Sequence, residues 1–227
     1  MIKKILLWSF LSVILIIGIL FINLIVTGKI ASKVTEGRPI ENYGTLNAAL
    51  LVIDIQEGLT GEVSGIEGYK KAAEDLIPGI NKIISGSDDK GILVIYIRNE
   101  ISNPLINILN NSLAKGSLGA ELDQRLNIVS DHILSKNKED AFSNSNLDSI
   151  LIKNEISRLF VVGLDAAHCV NSTIEGARSR GYKIAAISDA IVSNPDTVKI
   201  QMLKEYAGKG VEILSTEQFL REMDDGI

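Results

Sequence analysis

The chain opens on one long apolar run and then settles into short apolar blocks separated by amphipathic stretches. Residues 5–26 read ILLWSFLSVILIIGILFINLIV, with no charge between Lys4 and Lys29. At about 1.5 Å per residue, a helix of this length matches the ~30 Å hydrocarbon core of a bilayer. A cleaved signal sequence would carry an apolar core of about 7–15 residues ending at a small-residue cleavage site. This run is longer, and the TGKIASKV that follows is a poor site. The pattern therefore predicts a retained single-pass anchor over residues 1–27. Lys3 and Lys4 before the span nearly balance Lys29, Lys33 and Arg38 after it, so the positive-inside rule leaves the side of the domain open. Only the short tail before the span leans toward an extracytoplasmic domain.

Residues 28–46 are polar, contain glycine and lack periodicity, and read as a linker to a domain over 47–227. There, continuous apolar runs at 48–54 (AALLVID), 92–98 (ILVIYIR), 158–164 (RLFVVGL), 182–188 (YKIAAIS) and 211–214 predict buried strands, with a shorter one at 132–134. Between them lie stretches of helical period. Tyr69, Ala72, Ala73, Leu76, Ile80, Ile83 and Ile84 mark a helix over 67–84, stopped by Gly91. Further helices are expected at 105–113, 147–154, 169–180, 197–208 and 216–223. Apolar strands alternating with helices imply a three-layer α/β/α fold around a mostly parallel, Rossmann-like sheet of about six strands.

Composition sharpens this picture. The 227 residues are 46% hydrophobic, and mean hydropathy is +0.22. Without residues 5–26 the remainder falls to about 42% hydrophobic, ordinary for a globular domain. Net charge is −5, which gives no electrostatic reason to expect a nucleic-acid partner. One cysteine excludes an intramolecular disulfide, and two histidines leave little for a metal site. The segments after the strands lack G-x-G-x-x-G and G-x-x-x-x-G-K-[ST], which argues against a nucleotide-binding domain.

Ligands of such sheets sit beyond the carboxyl ends of the strands. Asp54 ends the first run, where one-sided desolvation suits a carboxylate to proton transfer, although a loop cap would look the same. Cys169 follows the strand at 158–164 and opens a helix. The helix dipole would give its thiol thiolate character and set backbone amides around an oxyanion; a small buried hydrophobe is the plainer reading. Lys136 and Lys138 both follow the short strand, and each alone reads as a surface charge. His168, beside Cys169, is a candidate substrate contact. His132 is read as structural.

Together these segments resemble the isochorismatase-like cysteine hydrolases, which include nicotinamidases and N-carbamoylsarcosine amidases. The resemblance runs from about residue 48 to residue 193 and rests on four motifs. LLVIDIQEG looks like the family's first strand with its D-x-Q ending. KGSLGAEL (115–122) looks like P-G-T-x-G-x-E, with Lys115 in place of proline. KNKEDAF looks like K-x-x-x-[SD]-A-F, whose spacing to Phe142 selects Lys136 over Lys138. VVGLDAAHCVNSTIEGARSRGYKIAAISDAIVS matches the nucleophile segment.

The resemblance implies a catalytic set of Asp54, Lys136 and Cys169. It also implies an oxyanion hole from the backbone N–H groups of Asp165 and Cys169, and a cis peptide between Leu164 and Asp165. Gln56, Phe142 and His168 are the expected substrate contacts. Two departures shape the reading. Ala167 stands where many members carry Asp. No histidine precedes His132, so the zinc site of nicotinamidases is not expected, and no metal or cofactor is. Retention of Cys169 favours the amidase side over true isochorismatases, which do not depend on a cysteine. The expectation is a membrane-anchored cysteine hydrolase of a small-molecule amide, held in lipid by residues 5–26, with room for a homo-oligomer. An isochorismatase-type hydrolase of a small carboxylic acid, or a non-catalytic binding protein of the same fold, are the alternatives.

Overall fold

A computed structural model describes residues 2–43 and 47–225. Six strands form one parallel sheet: β1 (Asn47–Ile53), β2 (Leu93–Asn99), β3 (Ile133–Lys136), β4 (Ile156–Leu164), β5 (Lys183–Val192) and β6 (Glu212–Leu214), in the order β3-β2-β1-β4-β5-β6. The reversal of strand order at β1 makes the β1/β4 edge the topological switch point, where such sheets bind ligands.

Strand β1 shows why its sequence is apolar throughout. Ala49, Leu51 and Ile53 pack on one face with α5 (Asn171–Ser179), α6 (Asp196–Gly208) and α4 (Ser145–Lys153). Ala48, Leu50 and Val52 pack on the other with α2 (Glu67–Asp89) and α7 (Thr216–Asp225). A strand covered on both sides has no polar face to alternate with. The three-layer α/β/α class follows directly.

Some boundaries move. Helix α2 continues past residue 84 to Asp89, and the short helix α3 is confined to Pro104–Leu109. Strand β3 ends on Lys136, two residues beyond the run that suggested it, because Asn99↔Lys136 still pairs with β2.

Helix α1 spans Ile2–Ala31. Its length and composition suffice to cross a membrane, and none of its most apolar stretch is buried. The helix extends four residues into the segment read as linker. Residues 32–43 that follow have no regular secondary structure but are held to the domain. Asp140 accepts from the Thr35 N–H (2.8 Å) and hydroxyl (2.5 Å), and the Arg180 carbonyl accepts from Ile40 N–H (2.8 Å). Residues 44–46 of the expected linker lie outside the described residues.

Candidate active site

Three chain segments deliver charged or nucleophilic groups to the carboxyl edge of the sheet. Strand β1 passes into Asp54, which holds φ 55°, a left-handed conformation uncommon away from glycine. Its N–H still donates to the Ile97 carbonyl (2.8 Å), so the carboxylate is fixed to the strand end. Lys136 is the last residue of β3. Cys169 lies in the π-type turn Ala166–Val170 that joins β4 to α5.

Strand β2 lies between β1 and β3, so Asp54 and Lys136 sit two strand spacings apart, about 10 Å. The four-carbon lysine stem covers most of that distance. Lys136 Nζ donates to Asp54 Oδ2 (2.8 Å) and to Cys169 Sγ (3.1 Å). All three residues are buried, at 3%, 2% and 8% exposure for Lys136, Asp54 and Cys169. Asp54 Oδ1 is buried with no hydrogen-bond partner. A buried acceptor left open costs about 1–3 kcal/mol.

Burial works against the Lys136 charge, but the Asp54 carboxylate and the Cys169 sulfur beside it raise its pKa above the usual lysine range. Cys169 behaves oppositely to the helix-start expectation. It precedes α5 rather than opening it. Burial first, then the adjacent Asp54 carboxylate, push its thiol up, with Lys136 only partly offsetting them.

The wall behind Cys169 is built around Asp165. The Leu164–Asp165 peptide is cis. Asp165 Oδ1 accepts from Ala167 N–H (2.7 Å), and Oδ2 accepts from the Ser193 hydroxyl (2.6 Å) and the Tyr69 hydroxyl (2.8 Å). Tyr206 closes the same turn by donating to the Ala166 carbonyl. Gly163 precedes this turn at φ 120°, and a Cβ there would lie 2.0 Å from the Ile53 carbonyl oxygen. Only glycine lets β4 approach β1 closely enough to bring Cys169 to Asp54.

The expected substrate contacts fare differently. Both amide hydrogens of Gln56 are donated to the carbonyls of Asn99 (3.0 Å) and Ala120 (2.8 Å), and its oxygen accepts from Asn99 N–H (2.8 Å). With every polar atom committed, Gln56 ties the 115–122 segment over the strand ends. Phe142 is a core residue, its ring 4.3 Å from the Arg180 guanidinium carbon and 6.0 Å from the Tyr182 ring. His168 is exposed at the rim, with Nδ1 3.4 Å from Glu139 Oε1. This contact raises the His168 pKa and lowers that of Glu139. Lys138 lines a surface cavity with Lys33 instead of entering the site. Tyr69 and Ser193 were not legible, because a hydroxyl on a helix or strand end carries no spacing signal. Asp140 could have been found, since it occupies the [SD] position of the lysine motif and caps the turn bearing Phe142 (2.9 Å).

The sequence matches the isochorismatase domain family over residues 48–218, most of the chain. The chain belongs to the isochorismatase family. An isochorismatase-family relative of Arabidopsis thaliana, described as a probable inactive nicotinamidase, is 26% identical over 78% of this chain and 96% of its own. The crystal structure of an N-carbamoylsarcosine amidase from Thermoplasma acidophilum shares 27% identity, covers 75% of this chain and 96% of its own, and superposes with a TM-score of 0.64. A cysteine hydrolase from Pseudomonas syringae pv. phaseolicola, 24% identical, covers 86% of this chain and 100% of its own with a TM-score of 0.71. The isochorismatase fold therefore extends through the whole sheet and its flanking helices. Among the described residues, no group of three or more His, Cys, Asp and Glu is placed to hold a metal ion.

Proposed function

We propose that this protein is a membrane-anchored cysteine hydrolase that cleaves a small-molecule amide through a thioester on Cys169. The supporting observation is the single lysine amine in contact with both the Cys169 sulfur and the Asp54 carboxylate, whose second oxygen is open. In this reading Asp54 takes the thiol proton as Cys169 Sγ adds to the carbonyl carbon. Lys136 keeps its charge and stabilises first the carboxylate and then the thiolate, so no net charge is created in a buried site. The oxyanion is held by the backbone N–H groups of Asp165 and Cys169. Collapse breaks the C–N bond, and the proton on Asp54 passes to the departing nitrogen. A water then gives its proton to Asp54 and attacks the thioester carbon. The acid leaves and the thiol is re-formed with that proton.

A second reading, a binding protein that keeps the fold without turnover, draws support from the name of the Arabidopsis relative and from the near-complete burial of Cys169. An amide panel assayed with the full chain and its Cys169→Ala variant separates the two. Hydrolysis of at least one amide that is lost in Cys169→Ala supports the hydrolase. Equal rates for the two proteins on every hydrolysed amide, or no hydrolysis of any amide, contradict it.

A further inference from the structure

The span and the site lie at the same end of the sheet. In a parallel sheet all carboxyl ends point one way, and Asp54, Lys136 and the Cys169 turn mark that end. The loops that grip α1 leave from it too. Asn103, in the loop after β2, donates to Thr27 Oγ1 (3.0 Å) and Asn23 Oδ1 (3.2 Å) of α1. Glu139, just after β3, donates its N–H to the Ala31 carbonyl (2.9 Å). Asn23 lies six residues inside Lys29, about 9 Å along the helix axis toward the apolar run. Asn103 caps α3, so the grip carries this short apolar helix (PLINIL) to the level of the interface, where Ile108 stands 74% exposed.

Two cavities that share lining residues lie between α1 and the end of β3. A cavity of about 180 Å³ lies against Thr27, Ile30, Ala31 and Ile101, with Lys138, Ser102 and Asn137 also on its walls. Those last two residues also line a cavity of about 330 Å³ that reaches Lys136, with Glu100 and Lys115 on its walls. The cavity against α1 sets Ile30, Ala31 and Ile101 beside Lys138, and the cavity toward Lys136 is charged and polar. A molecule with a polar head and one alkyl chain matches that order. Its chain would lie beside residues 27–31 of α1, directly after the apolar run 5–26.

We infer that the mouth of the site faces the membrane and takes single-chain N-acyl amides from the bilayer, the acyl chain lying in the cavity beside the end of α1. This rests on the hydrolase reading. Cys169 adds to the acyl carbonyl, the C–N bond breaks with proton transfer to the departing amine, and water releases the fatty acid.

Two measurements on the full chain in phosphatidylcholine vesicles test it. The first needs no turnover. In a Cys169→Ala background, an environment-sensitive dye is attached to Ile108→Cys, and separately to Ile152→Cys. Ile152 lies on α4 close to the amino end of β4 and is 54% exposed. Brominated lipid should quench the dye at position 108 and leave that at position 152 unchanged. Equal signals at the two positions overturn the orientation.

The second assays acyl-p-nitroanilides of two to twelve carbons at fixed total concentration with lipid in excess. Each methylene favours the bilayer about fourfold. A mouth facing lipid gives Cys169-dependent rates that climb with chain length and then level off. A mouth facing water gives rates that fall once the substrate is mostly in lipid, which overturns the substrate class while leaving the hydrolase intact. No Cys169-dependent hydrolysis at any chain length removes the hydrolase reading and the substrate class with it, whatever the quenching result.

Discussion

Two buried aspartates stand at the ends of the neighbouring strands β1 and β4, and they are finished in opposite ways. Asp165 is complete: neutral N–H and hydroxyl donors satisfy both oxygens, and it ties α2, β5 and the Cys169 turn together. Asp54 is incomplete: one oxygen holds Lys136, and the other has no partner. A fully satisfied carboxylate has no capacity to accept a proton without losing bonds. A carboxylate with one open oxygen, pinned beside a thiol, has that capacity. Neighbouring residues of one type are thus left with different capacities by what surrounds them.

The sharpest way to break this comparison is to remove the lysine. Lys136→Met leaves Asp54 buried and uncompensated, and should destabilise the domain by about 3–5 kcal/mol in denaturant titration while abolishing turnover. Gly163→Ala tests the approach of the two strands. The new Cβ would overlap the Ile53 carbonyl, and about 2–4 kcal/mol of destabilisation is expected, with activity falling as Cys169 is pushed from Asp54.

The aspartates themselves should divide stability from catalysis. Asp165→Ala strands the Tyr69 and Ser193 hydroxyls and should lower stability by about 2–4 kcal/mol, with turnover per folded molecule far less affected. Asp54→Asn keeps the shape but cannot carry the proton, and should lower kcat/KM by about 10²–10⁴-fold. Comparable losses of turnover in both variants would erase the distinction.

The fold was legible because a doubly covered parallel strand has to be apolar along its whole length, as 48–53 and 158–164 are. The convergence of Asp54, Lys136 and Cys169 was legible through motif spacing, which selects Lys136 over Lys138. For Gln56 and Phe142, a motif position says that a residue is needed without saying whether its atoms face a ligand or a neighbouring backbone. The thiol was misjudged because burial and the Asp54 charge outweigh the dipole of a helix that begins only after it. The docking of residues 32–43 left no trace in periodicity, since Thr35 and Ile40 make isolated contacts.

Protonation offers a milder test. The unfolded thiol releases its proton near its ordinary pKa of 9.0, and the unfolded lysine near 10.5, whereas the folded site retains both protons longer. The folded state then binds more protons, so stability should fall as pH rises above about 9. Melting temperatures followed from pH 8 to 11 should show this fall, and Cys169→Ala should remove its first part. The smallest effect belongs to the rim. The raised His168 pKa makes its contact with Glu139 fully favourable below the ordinary histidine value and weaker as pH climbs through the folded one. Because His168 is exposed, Glu139→Gln should shift stability at pH 6 by less than about 1 kcal/mol.

An acyl group on Cys169 is the most direct signature of the proposed chemistry. Rapid acid quenching of the full chain during turnover of a hydrolysed amide, followed by intact-mass measurement and peptide mapping, should show one acyl group on Cys169 and none on Cys169→Ala. Steady turnover with no adduct on Cys169 at any quench time, and with Cys169→Ala equally active, would contradict it.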